Sequence, residues 1–402
     1  MPKLLPVKQA KDRICNAMPL LPIEQIPLTK AVGRVLAADV ISRRTQPPFA
    51  VSAMDGYAVK YRDLLALPKR LSIVGEVPAG KKFDGAISSG EAVRIFTGAR
   101  IPEGADTIII QENTVRDGNS VLVNQGEVEH GKFIRPAGLD FSSGEKLLEA
   151  PKKLTARDIG LAASMNVPWL KVRKKPNIAL LATGDEIVMP GDPCNENQIV
   201  SSNVIGLHAL IKKHGGRPID LGIAMDDDDS LLSLAKGALS SDLLITTGGA
   251  SVGDHDLVKS VLADIGLEVD FWRIAMRPGK PLIFGKIGSI PLLGLPGNPV
   301  SSMVCAIIFL LPAIAAMQGS RLTTSSSNFA LLGSALPVND EREDYLRATL
   351  SEDQSGALIA TPFKKQDSSV FSGMSAADCL IIRPPFAPAA EQGEQVSIIL
   401  LD

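Results

Sequence analysis

The residues of this sequence best suited to chemistry are acids that stand in short turns. Asp55 belongs to the segment 47–59, where it follows Pro47-Pro48 and opens a short apolar strand. Three more acidic turns follow, at residues 183–186, 226–229 and 253–256. Carboxylates are hard oxygen ligands, and Mg²⁺ commonly binds one or two of them together with phosphate oxygens. Acidic turns from separate segments therefore indicate a site for a cation and a phosphorylated ligand.

The elements that would position these turns alternate between strand and helix after residue 175. The pattern predicts strands at 178–182, 219–224, 243–247, 268–275, 281–287 and 290–295, with helices at 203–214, 230–239 and 256–265 and a long helix from Pro299. Alternation at this spacing is typical of right-handed βαβ units and of a parallel sheet covered on both faces.

Ligands of such sheets bind beyond the carboxyl ends of the strands. The residues predicted at that edge are Asp185 and Glu186 after the first strand, Asp226 and Asp227 after the second, and Gly248, Gly249 and Asp254 after the third. Glycines let backbone N–H groups approach a phosphate, and the following helix N-terminus adds partial positive charge. Taken singly, each acid has another explanation as a helix cap, and residues 226–229 could form a solvated turn. Their convergence on one edge favours a site.

Two further turns carry groups that suit an anion. In residues 277–281, Arg277 and Lys280 flank a Pro-Gly turn and could face one anion, although an ordinary surface hairpin explains the same pattern. In residues 295–301, Asn298 is predicted as an N-cap and Pro299 as the first helical residue. That helix N-terminus, with Ser301 beside it, is also suited to an oxyanion.

The rest of the chain predicts a second kind of architecture. Helices are expected at residues 8–18, at 28–38 with Thr29 as its cap, and at 155–165 with Thr155 as its cap. Between them, residues 47–140 consist of short β-branched runs, with strands predicted at 71–77 and 107–110 and a hairpin around Asp117-Gly118-Asn119. This pattern indicates a β module inserted into a helical domain. Residues 322–402 again predict strands, which fit a small β-barrel or sandwich.

Composition excludes several function classes. The 402 residues carry a net charge of −2, which attracts neither nucleic acid nor an anionic membrane. The four cysteines form no CxxC pair, which is typical of a reducing compartment, and the four histidines argue against a zinc site. The N-terminus has no signal-peptide pattern. The apolar run at residues 300–317 is interrupted by Pro312, so we interpret it as a buried core helix and expect a cytoplasmic protein.

Five motifs, in order, resemble one known family. They are SAMDGYAV, TGDEI, TTGGASVGDHD, MRPGKP and LPGNPVSSM, and they are similar to those of the molybdopterin molybdenumtransferase family, the MoeA type that is related to the gephyrin E domain. The resemblance runs from about residue 5 to the C-terminus. It implies a homodimer with a split helical domain at 1–46 and 141–174, an inserted β domain at 47–140, a molybdopterin-binding-like parallel α/β domain at 175–320 and a C-terminal β-barrel domain at 325–402.

The resemblance also implies an activity. Members of this family insert molybdate into adenylylated molybdopterin, with Mg²⁺ present, and release AMP and molybdenum cofactor. The implied partners are adenylylated molybdopterin, molybdate, a second copy of the chain and other proteins of cofactor biosynthesis. No nucleic acid and no membrane is expected.

Motif position assigns the site residues. The catalytic residues would be Asp55, Glu186, Asp254 and Lys280, and the metal ligands would be Glu186, Asp226, Asp227 and Asp254. The substrate-binding residues would be Thr97, Arg135, Asp140, Thr183, Gly184, Asp185, Gly248, Gly249, Ser251, Arg277, Pro296, Gly297, Asn298, Ser301, Arg347 and Ser372. Among these, Arg277, Lys280, Ser301 and Arg347 would form the pocket for molybdate, which is a dianion.

The sequence departs from the family pattern at three positions. Arg277 stands where the family often has lysine, which keeps the charge. Gly373 takes the place of a serine, and Asp378 takes the place of an asparagine. A carboxylate at Asp378 would repel molybdate if it faced the pocket, and Ser372 or Ser375 could supply the missing hydroxyl.

Four other functions fit part of the sequence. A molybdopterin adenylyltransferase or a CinA-like nucleotide hydrolase would share the Gly-Gly-bearing domain, but would not need the segment 47–59 or the C-terminal β domain. A tungstate-preferring paralogue and a non-catalytic scaffold are further alternatives. The acids Asp55, Glu186 and Asp254 argue for an enzyme rather than a scaffold.

Overall fold

The computed structural model describes residues 4–126, 128–248, 261–263, 266–320 and 328–401. These residues form two compact units. The β-rich unit comprises Gln25–Val32 and Ala38–Leu170, and the α/β unit comprises Met1–Glu24, Gly33–Ala37 and Lys171–Asp402. The strands Ile23–Pro27 and Trp169–Arg173 lie where the chain passes from one unit to the other.

A six-stranded mixed sheet forms the centre of the α/β unit. Its strands are β1 (Asn177–Thr183), β2 (Arg217–Ala224), β3 (Leu243–Thr247), β4 (Leu267–Arg273), β5 (Pro281–Ile287) and β6 (Ile290–Leu295), in the order β2-β1-β3-β6-β5-β4. Strands β2, β1, β3 and β6 are parallel, as predicted. Strands β5 and β4 are antiparallel to their neighbours. The reason is that two residues join β5 to β6, which allows a hairpin but is too short for a crossover.

Helices cover both faces of this sheet. They are the N-terminal helix Val7–Ala17 and the helices α1 (Asn203–Lys213), α2 (Asp228–Gly237) and α3 (Pro299–Met317). Alternate residues of β1 enter different cores, because Ile178 and Leu180 pack with α1 and α3 while Ala179 and Leu181 pack with α2. Burial on both faces explains why this strand is a continuous apolar run.

Helix α3 is long and apolar enough to cross a membrane by length and composition, and 89% of it is buried inside the protein. The prediction of a core helix agrees with this burial. The predicted interruption at Pro312 is wrong, because the helix continues through it. A π-helical stretch at Ala306–Leu310 precedes the final α-helical part, Leu311–Met317, and places the proline in its first turn.

The C-terminal part of the α/β unit is a closed β-barrel. Its strands are β7 (Asn328–Leu332), β8 (Glu343–Glu352), β9 (Leu358–Pro362), β10 (Cys379–Arg383) and β11 (Gln395–Leu400), in the order β8-β9-β7-β11-β10, and β10 pairs back with β8. A short helix, Phe371–Ser375, lies between β9 and β10 and was not predicted. The strand Met276–Arg277 pairs with the start of β8 and joins the barrel to the rest of the unit.

The β-rich unit is built around a second six-stranded sheet. Its strands, in spatial order, are Thr107–Ile110, Gly56–Val59, Glu91–Ile95, Lys69–Val77, Ser120–Val123 and Thr114–Asp117. The last two form the predicted hairpin. Smaller strand pairs join Val51–Ser52 to Ile134–Arg135 and Val40–Ile41 to Lys146–Leu148. The helix Ala156–Ser164 begins at Thr155, whose side chain forms a capping box with Asp158, as the sequence predicts.

The helix predicted at residues 28–38 is wrong. The chain forms a 3₁₀ turn at Leu28–Lys30 and a strand at Val35–Leu36. Gly33 separates them with a φ of +76°, which ends any helix. Leu36 then pairs with Val172, far away in sequence, so a long-range strand partner overrides the local helical pattern.

Candidate active site

The carboxyl ends of β1, β3 and β6 lie at one edge of the central sheet, as the sequence predicts. The strands are in register there, with Ala182 opposite Thr247 and Thr247 opposite Leu295. The turn after β3 passes very close to the turn after β1. A Cβ atom added at Gly248 would collide with the carbonyl oxygen of Thr183 and lie 3.0 Å from its Oγ1. Only glycine allows this approach.

A cleft of about 660 Å³ opens at this edge. Of the residues predicted from sequence, the cleft is lined by Glu186, Gly248, Pro296, Gly297 and Asn298. It is also lined by residues that sequence analysis missed, among them Ser201, Ser202, Asn203, Thr247, Pro281 and Ser369. Thr247 and Pro281 belong to the motifs TTGGASVGDHD and MRPGKP but were not assigned to the site. The other missed residues lie outside the motifs, so no local signal marked them.

The acidic turns occupy different positions around the edge. Glu186 is exposed and lines the cleft. The carboxylate of Asp185 accepts a hydrogen bond from the Asp226 N–H at 2.9 Å, which ties the turns after β1 and β2 together. Asp227 caps α2 by accepting from the Ser230 N–H at 2.8 Å. The capping explanation therefore applies to Asp227, while Glu186 and Asp226 remain exposed carboxylates.

Few of the described side chains at this edge of the sheet could bind a metal ion. Among the described residues, no group of three or more His, Cys, Asp or Glu side chains could hold a metal ion. The predicted ligand Asp254, with Gly249 and Ser251, lies outside the described residues. Mg²⁺ needs only one or two protein carboxylates when phosphate oxygens and water complete its shell, so the exposed oxygens of Glu186 and Asp226 are donors of a suitable kind.

The start of helix α3 is covered by a loop of the barrel. Asn298 occupies the N-cap position, but its side chain makes no cap bond. Its Nδ2 instead donates to Ser368 Oγ at 3.0 Å, and the Val300 N–H donates to the Ser368 carbonyl at 3.2 Å. Asn203 Nδ2 donates to the Gly297 carbonyl at 2.7 Å and holds the turn from α1. Ser301 is buried behind this turn.

Arg347 holds that same loop from below. Its side chain is almost fully buried, with 1% of the residue exposed. The guanidinium donates to the carbonyl oxygens of Val370, Asp367 and Lys365 at 2.8, 3.0 and 3.2 Å. Burial lowers the pKa of Arg347. Arg347 therefore positions the loop that carries Ser368 and Ser369, and its charge lies beneath the loop rather than in the cleft.

The two cations of residues 277–281 are in different environments. The guanidinium of Arg277 donates to Asp340 at 3.0 Å and to Asn339 at 3.2 Å, and it forms an ion pair with Asp344. Its charge is therefore compensated by the barrel. Lys280 is exposed, and no described residue forms an ion pair with it. The structure therefore separates the pair that the sequence placed around one anion.

The structure explains the two positions near the C-terminus, Gly373 and Asp378, at which the sequence differs from the family pattern. The carboxylate of Asp378 accepts a hydrogen bond from the Leu350 N–H at 2.8 Å, which joins β10 to β8. Gly373 lies beside Arg347, and an added Cβ would be 3.4 Å from Nη1. Ser372 is exposed on the short helix Phe371–Ser375. The sequence suggested that the Asp378 carboxylate could repel molybdate. In the structure this carboxylate instead forms a hydrogen bond within the barrel.

In the β-rich unit, Asp55 is held by Thr97. Both the N–H and the Oγ1 of Thr97 donate to Asp55 Oδ1, each at 2.8 Å. The hydrogen bond from the Thr97 N–H has the larger effect on the pKa of Asp55, and the bond from the Thr97 hydroxyl adds to it. Both lower this pKa, so the carboxylate is ionised at neutral pH. Sequence analysis missed Arg94, whose guanidinium stacks over the rings of Tyr57 and Phe96 at 5.2 and 4.9 Å.

Arg135 and Asp140 lie beside the segment that leads to Asp55. Arg135 pairs with Val51 in the short ladder that precedes the Asp55 turn. The Asp140 N–H donates to the Gln46 carbonyl at 3.0 Å. Both side chains are exposed. The structure therefore gathers Asp55, Thr97, Arg135 and Asp140 around residues 46–55 of one unit.

Three family models match almost the whole chain. They are the MoeA N-terminal region (domains I and II) at residues 5–166, a probable molybdopterin binding domain at 179–316 and the MoeA C-terminal region (domain IV) at 330–401. A curated protein of Haemophilus influenzae, named molybdopterin molybdenumtransferase, is 34% identical over 398 residues, which is 98% of this chain and 98% of that protein. This chain belongs to the molybdopterin molybdenumtransferase family.

Other family members support the same placement. A molybdopterin molybdenumtransferase of Bacillus subtilis is 31% identical over 99% of this chain and 94% of its own length. The crystal structure of the molybdopterin biosynthesis MoeA protein of Pyrococcus horikoshii is 28% identical and superposes with a TM-score of 0.85 over 99% of this chain and 100% of that chain. The resemblance inferred from five motifs is confirmed. As a molybdopterin molybdenumtransferase, the protein is a transferase that inserts molybdenum into molybdopterin.

Proposed function

We propose that this molybdopterin molybdenumtransferase uses adenylylated molybdopterin and molybdate, with Mg²⁺, and releases AMP together with molybdenum cofactor. The observation that carries this proposal is the cleft at the carboxyl ends of β1, β3 and β6. Its wall combines an exposed carboxylate, Glu186, with the glycine turn at Gly248 and the start of helix α3 at Asn298. Carboxylate oxygens beside a glycine turn and a helix N-terminus suit a divalent cation and a diphosphate.

The donor set supports a role for Mg²⁺. Glu186 and Asp226 are exposed carboxylates at adjacent strand ends, and Asp185 holds their turns together. We propose these two residues, with Asp254, as metal donors, and Asp227 as a contributor through the α2 cap. When bound, Mg²⁺ would neutralise charge on the diphosphate as its phosphoanhydride bond breaks. The backbone around Gly248 would orient the diphosphate oxygens.

Molybdate needs a separate cationic pocket. Lys280 is exposed at the turn before β5, and its neighbour Pro281 lines the cleft. We propose Lys280 as the charge that attracts molybdate, with Ser301 and Ser372 as hydroxyl donors. Arg347 is then a positioning residue, because it acts through the carbonyls of the loop at 365–370. Arg277 is proposed to act in the same indirect way through its contacts with the barrel.

The assembly, the domain division and the residues of the β-rich unit complete the proposed function. We propose that the protein acts as a cytoplasmic homodimer with the four-domain division 1–46 with 141–174, 47–140, 175–320 and 325–402. Asp55 is proposed as a catalytic residue of this dimer, and Thr97 supports it because it holds the carboxylate ionised. Arg135 and Asp140 are proposed to bind substrate.

The test is a reconstituted assay with purified protein, adenylylated molybdopterin, Mg²⁺ and molybdate, in which AMP and active cofactor are both measured. Molybdate-dependent AMP release with cofactor formation is the expected result. Glu186→Gln should abolish it without changing the fold, because the side chain is exposed. Asp192→Asn, a nearby exposed acid outside the cleft lining, is the matched control and should keep full activity.

Two outcomes would reject parts of the proposal. Full activity of Glu186→Gln would remove Glu186 from the metal site. Lys280→Ala should need more molybdate, and failure of excess molybdate to restore its rate would remove Lys280 from the oxyanion pocket. Tungstate in place of molybdate, in the same assay, measures which oxyanion the enzyme prefers.

A further inference from the structure

A second cleft, of about 620 Å³, lies at the opposite edge of the central sheet. It is lined by the first residues of β1 and β2, Asn177 and Arg217, which are register partners in the sheet. Strand β1 has seven residues, so this edge is roughly 20 Å from the carboxyl ends. The cleft is therefore separate from the site described above.

Cations dominate the walls of this cleft. Lys174 and Lys175 come from the segment before β1, Lys212 from the last turn of α1, and Arg217 from the start of β2. All four side chains are exposed at the rim. Glu24 is the acid among the lining residues, and it is ion-paired with Arg34. The four rim charges are therefore uncompensated within the lining, although the whole chain has a net charge of −2.

Arg34, whose charge is compensated by Glu24, adds a buried guanidinium to the same cleft. Its residue is 8% exposed, and its Nη2 donates to Glu24 and, at 2.6 Å, to the Arg173 carbonyl. Its Nε is buried and has no hydrogen-bond partner among the described residues. An unsatisfied donor in a buried arginine is costly, so the described protein groups leave Arg34 incompletely satisfied.

The position of one of these cations has an ordinary explanation. Lys212 lies in the last turn of α1, where a positive charge is favourable because the C-terminal end of a helix is partly negative. Lys236 has the same position on α2 but does not line the cleft. Helix capping does not explain why cations from three segments face one concave surface. Like charges that line one cleft repel one another, and a bound anion would relieve that repulsion.

We propose that this cleft binds a small ligand that carries two or more phosphate groups. Four rim cations from three segments line a cleft of about 620 Å³, and they suit an oligophosphate whose phosphate groups engage different cations. The lining residues include no Phe, Tyr or Trp, and His208 is their one ring that could stack on a base, so recognition rests mainly on the phosphates. The concave shape and the volume are those of a small-molecule site rather than of a flat protein interface.

The experiment is calorimetric titration of the full-length protein with inorganic diphosphate at constant ionic strength, with sulfate as a competing anion. Saturable binding that sulfate does not abolish is expected. Lys212→Ala and Arg217→Ala should each weaken binding about tenfold, because each removes one charge-assisted contact. Lys236→Ala, the matched cation on α2, should bind as the parent does. Hydrogen exchange should show protection at residues 174–177 and 212–218.

Two further variants and probes separate this proposal from its competitors. Because the active site is itself proposed to bind a diphosphate, through Glu186 and Mg²⁺, Glu186→Gln is titrated as well and should keep binding at this cleft. Loss of binding in Glu186→Gln but not in Lys212→Ala would overturn the proposal, as would equal losses in Lys212→Ala and Lys236→Ala. Binding of a polyglutamate peptide that diphosphate does not displace would overturn it in favour of a protein partner. Molybdate-dependent AMP release is measured separately, so failure of either proposal is distinguishable from failure of the other.

Discussion

The guanidinium of Arg277 is ion-paired with the carboxylate of Asp344, and the two residues are also register partners in the short ladder that joins Met276–Arg277 to β8. This pair connects a sequence motif of the α/β sheet to the barrel. Asp340 and Asn339 bind the same guanidinium, so Arg277 engages three side chains of the barrel at once. A residue assigned by motif to anion binding therefore has a structural role that its motif does not indicate.

Arg277→Lys should destabilise the protein even though it keeps the charge and restores the residue that is common in the family. A lysine ammonium cannot match the planar fork that contacts Asp340, Asn339 and Asp344 together. We expect a loss of about 1 kcal/mol in the free energy of unfolding, since Asp344 is buried but Arg277 is partly exposed. Denaturant unfolding measures it. The control is Arg70→Lys, whose pair with Asp117 is exposed on both sides; an equal loss there would contradict the argument.

Acid should weaken the Arg277 cluster through Asp340. Hydrogen bonds from Arg342 lower the pKa of Asp340 to about 2, from an ordinary value of 3.8. A lowered pKa contributes stability that is present above 3.8 and is lost as the pH falls towards 2. Burial instead raises the pKa of Asp344, so its protonation favours the folded state as the pH falls. Asp340→Asn should therefore remove part of the acid-induced loss of stability, measured by urea unfolding across this range. An unchanged pH profile would show that Asp340 does not contribute.

Arg347→Lys should raise the molybdate requirement as well as lower stability. It removes bonds to three carbonyl oxygens beneath the loop at 365–370, and about 1 kcal/mol for each bond is expected. Arg383→Lys is the matched control, because Arg383 is also a buried barrel arginine that donates to carbonyls, those of Pro337 and Pro388. Both variants should unfold more easily. Only Arg347→Lys should change KM for molybdate. If Arg347→Lys and Arg383→Lys changed KM equally, the role of Arg347 would be limited to stabilising the fold.

Gly248→Ala should be much more damaging than Gly222→Ala. The two glycines have nearly the same φ, +91° and +92°, so the conformational penalty of about 1–2 kcal/mol is shared. An alanine Cβ at Gly248 would meet Thr183, whereas nothing lies within 4 Å at Gly222. Overpacking should cost Gly248→Ala about 1–3 kcal/mol more. Thermal unfolding of both variants compares them, and equal midpoints would show that the two turns can separate at little cost.

Asp55→Asn should abolish most activity and leave thermal stability unchanged. The amide oxygen can still accept both hydrogen bonds from Thr97, so the turn is preserved while the negative charge is lost. A fall in kcat of at least about a hundredfold is expected for a catalytic carboxylate. Asp63→Asn in the same unit is the control, since Asp63 also accepts a backbone N–H bond, from Gly90 at 2.8 Å. Normal turnover by Asp55→Asn would remove Asp55 from the catalytic residues.

Much of the fold could be predicted from local pattern. The strands β3, β5 and β6 have the predicted limits, and Thr155 caps its helix as predicted. Each of these segments carries its complete signal, either alternation and β-branching bounded by turn residues or a cap followed by an apolar face. The helix predicted at 28–38 was wrong because Leu36 pairs with Val172, which no local pattern contains. The antiparallel direction of β4 and β5 likewise depends on which strands become neighbours.

The candidate site was predictable in its location but less so in its roles. The motifs and the rule for strand ends led to Glu186, Gly248 and Asn298, and all three line one cleft. They gave no sign of Asn203 or Ser369, which reach the cleft from other segments. They also could not distinguish Asp227, which caps a helix, from Glu186, which is exposed.

By itself, the sequence determined the succession of strands and helices, the family and the edge of the sheet where its motifs meet, because these follow from periodicity and residue type within short segments. Only the tertiary structure decided which charged groups are left to act on a ligand. Arg277 is bound by Asp344, Arg347 by the carbonyls of the loop at 365–370, and Asp378 by the Leu350 N–H, while Lys280 and Glu186 remain exposed. A polar group binds whichever partner the fold brings beside it, and those partners lie far away in the sequence.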